Sequence, residues 1–150
     1  MGDGSGIRHS LLLETAPDRR FSHLELATPS GLLTLHPEGD GTVHGNVVSA
    51  AGVRHVVGLP WSRAGLVDLE GSSITAAACA FLLELLAPGP ASPVMVLRIS
   101  AALGLDAHPV AVARRWDGSW GIAGGSRYAA DLDGLPALAD AESWPLELGE

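Results

Sequence analysis

The hydrophobic residues of this chain recur mostly at every second position, in short runs broken by Gly, Pro, Asp and Ser. Such alternation marks a half-buried β-strand, whose successive side chains point to opposite faces. Ile7 to Glu14 is the first such run and stops at Pro17-Asp18-Arg19-Arg20. Phe21 to Thr28 sets Leu24 and Leu26 against His23 and Glu25. Pro29-Ser30-Gly31 turns the chain into Leu32 to His36, and the dense breaker Pro37-Glu38-Gly39-Asp40-Gly41 leads into Thr42 to Val48 as a hairpin partner. Ala50-Ala51-Gly52 introduces Val53 to Gly58, Pro60 interrupts, and Leu66 to Leu69 follows. Val94 to Ile99, Val110 to Arg115 and Ser119 to Ala123 continue the series. The last two flank Trp116-Asp117-Gly118, a strong short hairpin signal. Strands spaced by about ten residues predict a meander, a barrel or a sandwich.

One segment departs from this rhythm. From Ser72 or Ser73, either of which suits an N-cap, the chain runs through Ala, Phe and Leu to Leu86 before Pro88-Gly89-Pro90. Propensity predicts a short helix over 72–86, and its nearly all-round apolar surface predicts burial.

Composition narrows the class. A chain of 150 residues fits one domain, 1–150, able to bury roughly 68–70% of its unfolded surface. With 47% hydrophobic and 17% charged residues it is too apolar for a disordered chain. No apolar run approaches the roughly 20 residues needed to span a bilayer. The lone Cys79 rules out an internal disulfide, and Met1 to Ser5 lacks a basic signal-peptide start, so a cytoplasmic location is expected. The net charge of -8 argues against nucleic acid as a partner. All nine cations are Arg, which excludes a Schiff-base or P-loop lysine.

Candidate chemistry is sparse. His36, His44 and His55 fall on three successive strands and converge if those strands are neighbours. Without a compact zinc signature, outward-facing or hydrogen-bonded positions are the simpler expectation, and neither a metal nor a cofactor is expected. Asp68 and Glu70 share one face of a strand; Glu70 reads as structural and Asp68 stays open. Cys79, inside an Ala-Leu-Phe run, reads as a small core residue. The serines lack a G-x-S-x-G elbow, and no Gly-rich phosphate loop is present. Trp116 and Trp120 suit an apolar mouth or plain packing at a hairpin. Arg98 suits an anionic headgroup or a surface acid.

From Leu66 onward the chain resembles a bacterial family of glycolipid-binding proteins. That family carries Asp-Val-Asp-Leu and, a few residues on, Thr-Asn-Thr-Leu-Pro-Ile-Arg-Arg-Leu. The corresponding text here is Leu66-Val67-Asp68-Leu69-Glu70-Gly71-Ser72-Ser73-Ile74-Thr75, then Ala76 to Leu83. Leu32 to Gly45 and Val94 to Leu105 are similar to a hairpin and a strand of the same family. The resemblance implies a mainly β fold, a curved antiparallel sheet forming a β-roll or half-barrel, and it places Asp68 and Thr75 near a pocket. It also implies a turn or short helix at 72–75 and a strand at 81–86, leaving two readings of 72–86. The family's Asn and paired Arg are replaced by Ala76, Phe81 and Leu82, which exchanges a polar surface for an apolar one.

The leading expectation is a non-catalytic binder of a hydrophobic or amphipathic, glycolipid-like small molecule in the concavity of the sheet. The residues expected around it are His44, His55, Asp68, Thr75, Arg98, Trp116 and Trp120. One alternative is a small pocket enzyme, a cyclase or isomerase, moving a proton with His44, His55 or Asp68. Another is a homodimeric interaction module using an open edge or apolar face.

Overall fold

The structure, a computed structural model, describes residues 9–18, 20–70, 72, 75, 88–117, 120–122, 126–128 and 146–147. These contain eleven strands in two sheets, and neither sheet closes into a barrel. The fold is mainly β and largely antiparallel, as the alternation predicts. No helix among the described residues is long and apolar enough to cross a membrane. The helix expected over 72–86 lies outside the described residues except for Ser72 and Thr75, as does Cys79.

The first sheet is a simple meander of β1 (Ser10–Thr15), β2 (Phe21–Thr28), β3 (Gly31–Pro37), β4 (Thr42–Ser49) and β5 (Gly52–Pro60), in that spatial order. Local turn chemistry sets its registers. Thr28 Oγ accepts from Ser30 N–H at 3.0 Å, and Ser49 Oγ accepts from Ala51 N–H at 3.2 Å. In the β3–β4 turn, Asp40 Oδ1 accepts from both the Thr42 N–H (3.1 Å) and the Thr42 hydroxyl (2.5 Å). Gly41 there takes φ +82°, a left-handed backbone that Gly adopts without steric cost.

The inner face of this sheet carries Leu24, Leu26, Leu33, Leu35 and Val43, all fully buried, with Val47 and Val56 beside them. Each Leu or Val withdrawn from water in this way contributes about 1.5–3 kcal/mol. On the outer face, Glu25, Thr34, Asn46 and His55 are successive cross-strand partners. His36 stands opposite His44.

The second sheet follows the order β11-β10-β9-β8-β7-β6. Its strands are β6 (Leu66–Leu69), β7 (Ser92–Ile99), β8 (Leu105–Arg114), β9 (Trp120–Ile122), β10 (Ser126–Tyr128) and β11 (Leu146–Glu147). All pairs are antiparallel except β6 with β7, which run parallel. Adjacent residues Leu66 and Val67, and likewise Val96 and Leu97, are fully buried. Side chains therefore pack on both faces of this parallel pair, which explains its unbroken apolar sequence. Among the described residues β9 pairs with Val112 to Arg114 of β8, so Pro109 lies outside that ladder, where its missing N–H is tolerated.

Buried residues of the two sheets join in one hydrophobic cluster, from Phe21 and Leu35 to Leu97 and Val112. A polar link also crosses between the sheets. Arg54 of β5 donates to the Leu103 carbonyl at 3.3 Å, in the tight turn between β7 and β8. Leu103 is buried with φ +61°, a conformation closed by its N–H donating to the Ser100 carbonyl at 2.9 Å.

Candidate functional site

Because consecutive strands of the first sheet alternate in direction, the β1–β2 turn, the β3–β4 turn and the exit of β5 gather at one end. Between them lies a cleft of about 760 Å³, within the roughly 300–1,000 Å³ of small-molecule sites. The β1–β2 connection supplies Ala16, Asp18 and Arg20, followed by Phe21 at the start of β2. The β3–β4 turn supplies residues 37–41, and the segment after β5 supplies Trp61 and Arg63.

Trp61 is the centre of the site. Its ring meets Phe21 edge-on, with centroids 5.4 Å apart and planes at 75°. Phe21 is buried and Trp61 is half-buried, so the pair joins the core to the cleft wall. The Trp61 backbone N–H donates to the Gly41 carbonyl at 2.8 Å, tying the segment after β5 to the opposite turn. Gly65 lies against the indole, where a Cβ would come within 2.7 Å of Trp61 Cη2.

Charge surrounds this wall, and most of it is engaged locally. Asp18 accepts from Arg20 twice, through Nε and through the backbone N–H, both at 3.2 Å. Glu38 pairs with His36 at 2.9 Å. The Thr42 hydroxyl bonded to Asp40 holds that carboxyl below the usual carboxylate range.

The residues expected from sequence take other places. His44 lies on β4 opposite His36, while His55, on β5, makes a 2.7 Å contact from Nδ1 to Asn46 Oδ1. Among the described residues, no group of three or more His, Cys, Asp and Glu is placed to hold a metal ion. Asp68 and Arg98 are brought together as register partners of β6 and β7, with Arg98 Nε 3.5 Å from Asp68 Oδ2. Burial pushes the Asp68 carboxyl above its ordinary value, opposed by Arg98. Thr75 is fully buried, and its hydroxyl accepts from the Leu69 N–H at 3.0 Å, holding the end of β6. Trp120 packs in the core at 4% exposure, whereas Trp116 stands 88% exposed after β8. The Glu70 carboxylate accepts from the Ala101 N–H at 2.9 Å.

None of these residues lines the cleft. In the sequence 17–20 and 37–41 read as chain breakers, and no local motif singles out Trp61. The available signal was parity: in a meander, every second turn falls at the same end.

No protein-family model matches the chain. No curated protein matches it at a significant level. Among solved structures it is similar to a DUF1089 family protein from Pseudomonas aeruginosa. The TM-score is 0.63 at 18% sequence identity, covering 97% of this chain and 80% of that one. At this identity the likeness is one of fold.

Proposed function

We propose that the protein binds an amphipathic, glycolipid-like small molecule without transforming it, and that the ligand sits in the cleft at the end of the first sheet. The observation that carries this reading is the pairing of an apolar wall with a polar rim. Trp61, backed by Phe21, faces the same cavity as Asp18, Arg20, Glu38, Asp40 and Arg63. An indole offers a broad apolar face to a ligand body, and each Å² of apolar surface covered contributes about 25 cal/mol. The rim groups then orient the polar end by hydrogen bonding.

Proton-transfer chemistry is less well supported. The enzyme alternative needs an imidazole and a carboxylate in one enclosed pocket, but His44 and His55 belong to the first sheet and Asp68 to the second. The imidazole–carboxylate pair at the rim, His36 with Glu38, is 48% and 43% exposed, so bulk water competes with it for protons.

Titration with dodecyl maltoside below its micellar concentration, followed by calorimetry and native mass spectrometry, tests the reading. A saturable one-to-one complex that Trp61→Ala weakens is expected. Absence of saturable binding, or full retention in Trp61→Ala, would overturn it.

A further inference from the structure

Resting on the cleft as the ligand site, we infer that the preferred ligand carries a localised anionic group, a carboxylate or a phosphate ester, and that Arg63 is the residue that receives it. Among the described residues, five ionisable side chains line the cleft: Asp18, Arg20, Glu38, Asp40 and Arg63. Four of them already have partners two residues away in the chain. Arg20 Nε is 3.2 Å from Asp18, His36 is 2.9 Å from Glu38, and the Thr42 hydroxyl donates to Asp40 at 2.5 Å. Arg63 makes no ion pair or side-chain hydrogen bond to any of the described residues, although acids outnumber cations 17 to 9 along the chain.

Among the described arginines Arg115 is likewise without an ion pair, but it lies outside the cleft, so the contrast that matters is with the arginines that are engaged. Arg20 and Arg98 pair with aspartates, and Arg54 donates to the Leu103 carbonyl. Arg63 follows the aromatic wall by two residues and faces the same cavity. Its guanidinium presents a planar fork of donors that matches the two oxygens of a carboxylate or phosphate. A ligand with its body on Trp61 and its anion on Arg63 would leave the Asp18–Arg20 and His36–Glu38 pairs intact. A cationic ligand end would have to share carboxylates already holding a donor. Asp40 and Glu38 on the facing turn also disfavour diffuse negative charge, so the anion must sit at one end of the molecule.

The test compares three probes of equal chain length below their micellar concentrations: dodecanoate, dodecyl phosphate and the neutral dodecyl maltoside. At least one of the two anionic probes is expected to bind tenfold or more tightly than the neutral one. Which of them does so identifies the source of the charge. Arg63→Gln should weaken the anionic probes far more than the maltoside, bringing the anionic and neutral affinities within about twofold, while leaving the melting temperature unchanged. Raising the salt from 50 mM to 500 mM should erode the anion preference in the wild type only. Equal affinities in the wild type, or a preference that survives Arg63→Gln, would overturn the assignment to Arg63 while leaving amphiphile binding standing. Failure of all three probes to bind would remove the cleft reading itself.

Discussion

Trp61 meets Phe21 edge-to-face at 5.4 Å, and this contact couples the stability of the first sheet to the shape of the cleft. Phe21 is 4% exposed, so its ring belongs to the core, while Trp61 presents its remaining surface outward. The pair itself is worth about 0.5–1.5 kcal/mol beyond the area it buries. Substitutions on its two sides should separate accordingly. Phe21→Ala is expected to destabilise the fold by about 3–5 kcal/mol in urea unfolding. Trp61→Ala should act more on binding. Loss of an indole face covering roughly 60–100 Å² of ligand corresponds to about 1.5–2.5 kcal/mol, a tenfold or greater loss of affinity. Equal stability losses with unchanged affinity would contradict this division.

Gly65 offers a test of the indole's position that leaves the indole in place. A Cβ there would press on three carbons of the Trp61 ring at 2.7–2.8 Å. Gly65→Ala should therefore displace the ring from its place in the cleft wall. The expected readout is a shift in tryptophan emission together with weaker amphiphile binding. An unchanged spectrum and affinity would show that the ring is not wedged at this point.

The alternation of Leu24 and Leu26 with His23 and Glu25 made the first sheet legible in the sequence. Phe21–Thr28 and Leu66–Leu69 coincide with the expected runs, and Thr42–Ser49 differs by one residue at its end. The second sheet was harder to read for identifiable reasons. Leu105 to Pro109 did not register as strand because Asp106, His108 and Pro109 interrupt the apolar pattern. Among the described residues, they lie outside the β8–β9 ladder. The parallel pairing of Asp68 with Arg98 joins residues thirty apart, which no local periodicity encodes. The cleft has no local sequence signature because its walls come from turns and from Trp61, whose proximity is a product of topology.

Thr75 should prove structural. Its hydroxyl is the partner of a buried backbone N–H at Leu69. Thr75→Val keeps the volume and removes the acceptor, leaving that N–H unsatisfied. The expected loss is about 1–3 kcal/mol, read as a lower urea midpoint with an unchanged slope. Wild-type stability in the variant would show that another acceptor replaces the hydroxyl.

Two carboxyls should give opposite signatures in pH titrations of stability. Asp40 is held low by Thr42, so its contribution is present above an unfolded value of about 3.9 and is lost as pH falls through its lower folded value. Thr42→Val should accordingly move acid unfolding to higher pH. An unmoved or lowered midpoint would refute the role of the hydroxyl.

Asp68 is raised by burial, so its contribution is full below about pH 3.9 and is lost as pH rises through the folded value. Asp68→Asn has no such loss. Its melting temperature relative to the wild type should therefore climb between pH 4 and pH 7. A flat or falling difference across that range would mean that Arg98 outweighs burial.

The meander that assembles the cleft also sends the Pro29–Ser30 and Ala50–Ala51 turns to the opposite end of the first sheet, where all four residues are exposed. A biotin tether, a fluorophore or an inserted epitope at Ala51 would thus be carried on the pole remote from the cleft. Immobilised by that handle, the protein would present its cavity mouth away from the support, a ready orientation for capture assays on a sensor surface.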